Sequence, residues 1–139
     1  MSDQKTILVI DDDPDFQFVQ RTLLEAEGYE VMSALCGAEG LEQIQQKKPD
    51  LILLDVMMTE KTEGFNFASD LRRDRATEDI PIVLVTAINQ MEKPIVYSKT
   101  SSWPPVDVFL EKPVKPAELF RVIRELLAGR HPYPEKKAK

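Results

Sequence analysis

Residues 50–58 read Asp50-Leu51-Ile52-Leu53-Leu54-Asp55-Val56-Met57-Met58, four unbroken aliphatic residues that run straight onto a carboxylate. A short apolar run without alternation, bounded by polar residues, fits a strand buried on both faces. The form recurs in Ile7-Leu8-Val9-Ile10 before Asp11-Asp12, in Ile82-Val83-Leu84-Val85 before Thr86, and in Val108-Phe109-Leu110 just ahead of Lys112. Val31 to Ala34 is a weaker fifth run. Segments of helical period separate the runs, which predicts repeated βα units over a parallel sheet. Each polar residue then falls at the C-terminal end of a strand, where open α/β sheets place their chemistry.

The intervening segments carry helix signals of their own. Asp13-Pro14 offers an N-cap followed by proline at the first helical position, and Phe16, Val19, Leu23 and Ala26 recur on one face before Gly28. Ala38, Leu41 and Ile44 mark a second helix, ended by Lys47-Lys48-Pro49-Asp50, and Phe65, Ala68 and Leu71 mark a third. Lys115-Pro116 opens the last one, with Leu119, Val122, Ile123 and Leu126 as its apolar stripe and Gly129 as its stop. Between Thr86 and Val106 the regular alternation fails, because Pro94, Pro104 and Pro105 interrupt the place of a fourth crossover helix. Right-handed crossovers and a reversal of winding after the first strand give a doubly wound five-stranded parallel sheet in the order 2-1-3-4-5. Residues 1–128 form one α/β domain in this reading, and 129–139 a Pro- and Lys-rich tail.

Composition narrows the function classes. A chain of 139 residues with 42% apolar content holds one ordinary core, and its net charge of −6 speaks against a nucleic-acid-binding surface spread over the domain. The single cysteine, Cys36, cannot form an internal disulfide, and with His131 the only histidine there is no Cys or His cluster of metal-binding type. No apolar run approaches the ~20 residues of a membrane-spanning helix. A reduced, cytoplasmic setting is expected.

The chemistry follows from the strand order. Strands one and three lie side by side, so Asp11, Asp12 and Asp55 should meet although more than forty residues separate the first two from the third. Clustered carboxylates resist joint ionisation and call for a cation, and hard oxygen ligands with retained waters suit Mg2+. With its charge so balanced, Asp55 can attack phosphorus and form an acyl phosphate. Lys112 can pair with one phosphoryl oxygen as a point charge, and the Thr86 hydroxyl can donate a hydrogen bond to another. Taken singly, Asp12 and Asp13 read as turn and cap residues, Thr86 as a strand-end hydroxyl and Lys112 as an exposed turn lysine. Their joint placement at strand ends decides for a phosphoacceptor site.

Four strings in order, Ile7-Leu8-Val9-Ile10-Asp11-Asp12-Asp13-Pro14, Asp50-Leu51-Ile52-Leu53-Leu54-Asp55-Val56-Met57-Met58, Val85-Thr86-Ala87 and Phe109-Leu110-Glu111-Lys112-Pro113, closely resemble the receiver domain of two-component response regulators, over about residues 5 to 128. The resemblance implies a flavodoxin-like three-layer sandwich. It implies Asp55 as phosphoacceptor, and Mg2+ held by Asp12 directly, by Asp11 through water, by Asp55 and by the Met57 backbone carbonyl. It makes Thr86 and Phe109 the switch pair and Lys112 the phosphate-binding lysine, with a cis Lys112-Pro113 bond. The implied partners are a sensor histidine kinase or a histidine phosphotransfer protein and a downstream protein, with a monomer or weak dimer and no direct contact to nucleic acid or membrane.

Such a protein is a switch rather than an enzyme, catalysing only its own phosphorylation and slow dephosphorylation. No output domain follows residue 128, which leads to the expectation of a stand-alone receiver. Two segments depart from the family pattern: Thr59 to Glu63 lacks the usual proline turn, and the chain between Thr86 and Lys112, which includes the stretch from Pro94 to Pro105, is longer than usual. These departures motivate the alternative of a receiver-fold interaction module not regulated by phosphate. A haloacid-dehalogenase-type phosphatase can be forced onto Asp11-x-Asp13, but it explains Asp55 poorly and leaves no room for a cap domain. Met57 and Ile88, two residues past Asp55 and Thr86, are apolar where the family's attacking water is flanked, which predicts a long-lived phosphoryl group.

Overall fold

Each aliphatic run becomes a strand: β1 (Thr6–Ile10), β2 (Glu30–Ala34), β3 (Leu51–Val56), β4 (Ile82–Thr86) and β5 (Val108–Glu111). In the computed structural model these form one sheet of order β2-β1-β3-β4-β5, with every neighbouring pair parallel. The structure describes residues 4–56, 67, 69–86, 107–111 and 115–129, and of residues 56, 86, 109 and 111 the backbone only. Helices α1 (Pro14–Ala26), α2 (Gly37–Gln46) and α3 (Pro116–Leu127) complete the named elements, with further helical backbone at 69–72.

Alternation along the strands divides the interior in two, since successive side chains point to opposite faces. Ile7, Val9, Leu51, Leu53, Val83, Val85, Val108 and Leu110 face α1 and α3, packing with Leu24, Leu119, Val122 and Ile123. Leu8, Ile10, Ile52, Leu54, Ile82 and Leu84 face the other way, against Phe67, Leu71, Ile80 and Ile44. A sheet covered on both faces explains why the strands read as unbroken apolar runs. The result is the three-layer α/β arrangement expected from the sequence.

The helix faces differ from the sequence reading. In α1 the buried residue is Leu24, while Phe16 and Val19 are 44% and 48% exposed and Phe18 is 71% exposed. In α2 the buried position is Gly40, and Leu41 is 38% exposed. A Cβ on Gly40 would lie 2.7 Å from Ile10 Cδ1 and 3.4 Å from Phe67 Cζ, so the helix rides so close to β1 that a side chain there is displaced by its neighbours. A stripe drawn from large apolar residues misses a contact made through glycine. The stripe of α3 holds as read, with Leu119, Val122 and Ile123 buried. Of the third stripe Leu71 is buried, whereas Phe65 and Ala68 lie outside the described residues.

Two aspartates close the end of the sheet opposite the candidate site in the same manner. Asp50, just before β3, accepts the Thr6 N–H through Oδ2 at 2.8 Å and donates its own N–H to Thr6 O at 2.8 Å. Asp107, just before β5, accepts the Ile82 N–H at 2.8 Å and donates to Ile82 O at 2.9 Å. Arg72 adds a third partner, donating to Asp107 Oδ2 at 2.7 Å and to the carbonyls of Glu78 and Ile80 at 2.9 and 2.8 Å. Side-chain bonds thus satisfy the first N–H groups of β1 and β4, which precede the regular ladder.

Candidate functional site

At the opposite, C-terminal end of the sheet, the β1–β3 register pairs Ile10 with Leu54. Asp11 and Asp55 are the next residues on the two strands, so they stand at one level on neighbours about 4.8 Å apart. Both are buried, and Asp11 Oδ2 and Asp55 Oδ1 are closed off from solvent. Asp55 is itself still within β3, paired with Val85 of β4, and the next pair is Val56 with Thr86. Thr86 in turn pairs with Glu111 of β5. Asp55, Thr86 and the end of β5 therefore lie along one edge of the sheet, one strand apart.

The turn after β1 is built by its own acids. Asp11 Oδ1 accepts the Asp13 N–H at 3.0 Å, and Asp13 Oδ1 accepts the Asp15 N–H at 2.9 Å. Asp13 is the N-cap of α1, with extended backbone (φ −104°, ψ 111°), and Pro14 occupies the first turn, as the sequence predicts. This succession of side-chain turns leaves Asp12 exposed. Of the three carboxylates expected to meet, Asp11 and Asp55 are buried at adjacent strand ends and Asp12 is exposed to solvent beside Asp11 in sequence. Among the described residues no three or more His, Cys, Asp or Glu side chains gather as a ready metal cage.

The donor set nonetheless fits Mg2+. Buried carboxylate oxygens at adjacent strand ends are hard ligands, and this ion is commonly held by one or two carboxylates while it keeps several waters. The one cysteine, Cys36, is a free thiol at the N-cap of α2, and His131 lies outside the described residues. Met57 and Lys112 also lie outside them, and of Thr86 and Phe109 only the strand backbone is described, Phe109 pairing with Leu84.

One residue at this end escapes a reading based on apolar period. Gln17 in α1 turns toward the sheet, and its Nε2 meets the carbonyl oxygens of Asp11 at 3.1 Å, Val9 at 3.4 Å and Ala34. Its signal in the sequence is a polar residue between two phenylalanines, Phe16 and Phe18, that themselves face outward.

Comparisons with known proteins agree with this geometry. The family model described as the response regulator receiver domain matches residues 7–124. The chain is 38% identical over 121 residues to the DNA-binding dual master transcriptional regulator RpaA of Synechocystis, covering 87% of this chain and 48% of that protein. It is 33% identical over 123 residues to Protein PilH of Pseudomonas aeruginosa, covering 88% of this chain and 98% of that protein. Among solved structures, a CheY-like response regulator receiver domain protein from Methanospirillum hungatei superposes with a TM-score of 0.75 at 29% identity, over 91% of this chain and 95% of that one. Apart from PilH, the chain spans about half the length of the curated relatives named with it, 48% for RpaA and 52% for the phosphate regulon regulatory protein PhoB. No described helix is long and apolar enough to cross a membrane. With the matched stretch reaching all five strands and the buried acidic pair at their ends, the chain belongs to the response regulator receiver domains of two-component signalling.

Proposed function

We propose that Asp55 is the phosphoacceptor, taking a phosphoryl group from a phosphohistidine on a sensor histidine kinase or a histidine phosphotransfer protein. The observation that carries this reading is the burial of Asp55 level with Asp11 at the C-terminal end of the central strand. An Asp55 oxygen forms the new O–P bond as the donor's N–P bond breaks, and the electron pair of that bond returns to the donor imidazole. Asp11, Asp12, Asp55 and the Met57 carbonyl would hold Mg2+, which when bound neutralises charge on the phosphoryl oxygens. Thr86 donates its hydroxyl to one of these oxygens and Lys112 offers its ammonium to another, both by electrostatics and positioning. No general base is required, since a carboxylate whose charge bound Mg2+ would balance carries no proton to remove.

The switch follows the same edge of the sheet. Thr86 ends β4 beside Glu111, and Phe109 lies in β5 two residues earlier, so a hydroxyl drawn toward the phosphoryl group frees space along β5 for the aromatic ring. A downstream protein then reads the altered surface. The domain comprises residues 1–128, with 129–139 as a tail, and works in the cytoplasm as a switch rather than as a metabolic enzyme.

Incubating the chain with acetyl phosphate and Mg2+ and recording intact mass tests this reading. One added phosphoryl group on wild type and none on Asp55→Ala is expected. No added mass on wild type, or equal labelling of Asp55→Ala, overturns it.

A further inference from the structure

A helix that leaves phenylalanine 71% exposed at position 18 while turning a glutamine inward at position 17 reverses the usual amphipathic arrangement. The reversal has a cause at the end of the sheet. Where β1 and β2 stop, the carbonyls of Val9, Asp11 and Ala34 converge under the first turns of α1. Asp11 also donates its own N–H to Ala34 O at 3.1 Å, so these carbonyls belong to the junction from which the acidic turn springs.

A glutamine side-chain amide has two protons and no charge. It can serve several carbonyls at once without attracting the Asp11 and Asp55 carboxylates, as lysine or arginine would. An aliphatic residue would leave the carbonyls without this donor, and a carboxylate would repel them. The Gln17 main chain grips the same turn from the other side, donating its N–H to Asp13 O at 3.0 Å. Gln17 thus holds the turn at both ends: the Asp11 carbonyl through its side chain and the Asp13 carbonyl through its backbone.

We infer that Gln17 is a positioning residue for the metal-binding turn, fixing the Asp11–Asp12 peptide so that both carboxylates are presented correctly to Mg2+ before phosphorylation. The peptide unit is planar, so holding the Asp11 C=O toward α1 points the Asp12 N–H the opposite way, away from the helix, and sets where the Asp12 side chain begins. Released from Gln17, that plane is free to turn and Asp12 no longer has one starting direction. This inference rests on the receiver reading above.

The test compares wild type with Gln17→Met, which keeps length and removes both donors, and with Gln20→Met, a half-buried control one turn along the helix. Calorimetric titration with MgCl2 is expected to show affinity weakened about tenfold in Gln17→Met and unchanged in Gln20→Met, the size usual for losing a partner that orients a metal ligand. Phosphorylation by acetyl phosphate should return to the wild-type rate once Mg2+ saturates the variant, separating affinity from chemistry. A Gln17→Met protein with a lowered melting temperature but wild-type Mg2+ affinity overturns the inference and reduces Gln17 to a structural stitch. A readout on wild type alone guards against a variant that does not fold: the Gln17 side-chain amide resonances should shift with Mg2+ along the same titration curve as the Asp12 and Asp13 amides. Their indifference to Mg2+ also overturns it. A wild-type chain that neither binds Mg2+ nor gains phosphoryl mass sinks the receiver reading instead, and the inference with it.

Discussion

Gly40 in α2 and Ile10 in β1 are in direct steric dependence: a Cβ on the glycine would sit 2.7 Å from the isoleucine Cδ1. Gly40→Ala alone should destabilise by about 1 kcal/mol, because overpacking of ~1–3 kcal/mol exceeds the ~1 kcal/mol helix-propensity gain. Ile10→Val removes the offending methyl, so the double variant should be more stable than the sum of the two singles by about 1 kcal/mol. Urea unfolding of the four proteins measures this, and strict additivity would show that the contact is not limiting.

Burial in α1 predicts an inversion of hydrophobic expectation. Leu24→Ala should cost about 3 kcal/mol, whereas Phe18→Ala, although it removes a larger side chain, should stay within ~0.5 kcal/mol. Thermal melts decide it, and equal losses would contradict the helix rotation described above.

β1, β3 and β4 are legible in the sequence because each carries an unbroken aliphatic run buried in the sheet, whereas β2, Glu-Val-Met-Ser-Ala with only Val31 and Ala34 buried, gives a weaker signal; the strand order follows from crossover handedness. Asp11 and Asp55 are legible for the same reason, since a polar residue at the end of such a run has few places to go. The helix faces are only partly legible. Gly40 is buried because it is small and Gln17 faces the sheet because carbonyls wait there, and neither fact enters an apolar period. Asp50 reads only as the end of a helix-breaking stretch and Asp107 gives no signal of its own, yet both complete the strands beside them, a role that exists only once the chain is folded.

Arg72 and Asp107 share a half-buried ion pair that also holds two loop carbonyls and the first N–H of β4. Arg72→Met should destabilise by about 2 kcal/mol, and Asp107→Asn, which keeps an acceptor for Ile82, by about 1 kcal/mol. Chemical denaturation with an unchanged m-value is the expected signature. A neutral Arg72→Met would mean that water replaces the guanidinium without loss.

Acid should weaken the β2 edge in a defined way. Glu30 sits below its ordinary carboxyl value of 4.5, chiefly through its hydrogen bond from Lys47 at 2.7 Å. A lowered folded-state value means this contribution is present above that ordinary value and is lost as pH falls through the lowered one. Lys47→Met should bring the Glu30 titration, followed by carboxyl carbon NMR, back up toward 4.5 and flatten the dependence there. An unmoved Glu30 midpoint would assign the shift elsewhere.

The phosphorylated state should be long-lived. Met57 and Ile88 offer no hydrogen bond to orient an attacking water, so self-dephosphorylation should take on the order of hours rather than seconds. Met57→Glu or Ile88→Asn should shorten it. Loss of the phosphoryl group from wild type within a minute in Mg2+ buffer would count against this.

The anchoring of β5 by residues 72 and 82 gives the polypeptide between β4 and β5 unusual licence to vary. The entry to the edge strand is set from the far end of the sheet, by the bonds of Asp107 to Ile82 and Arg72, independently of how the chain gets there from β4. For engineers the stretch between β4 and β5 is a natural port for grafting a recognition peptide onto a phosphate-driven switch.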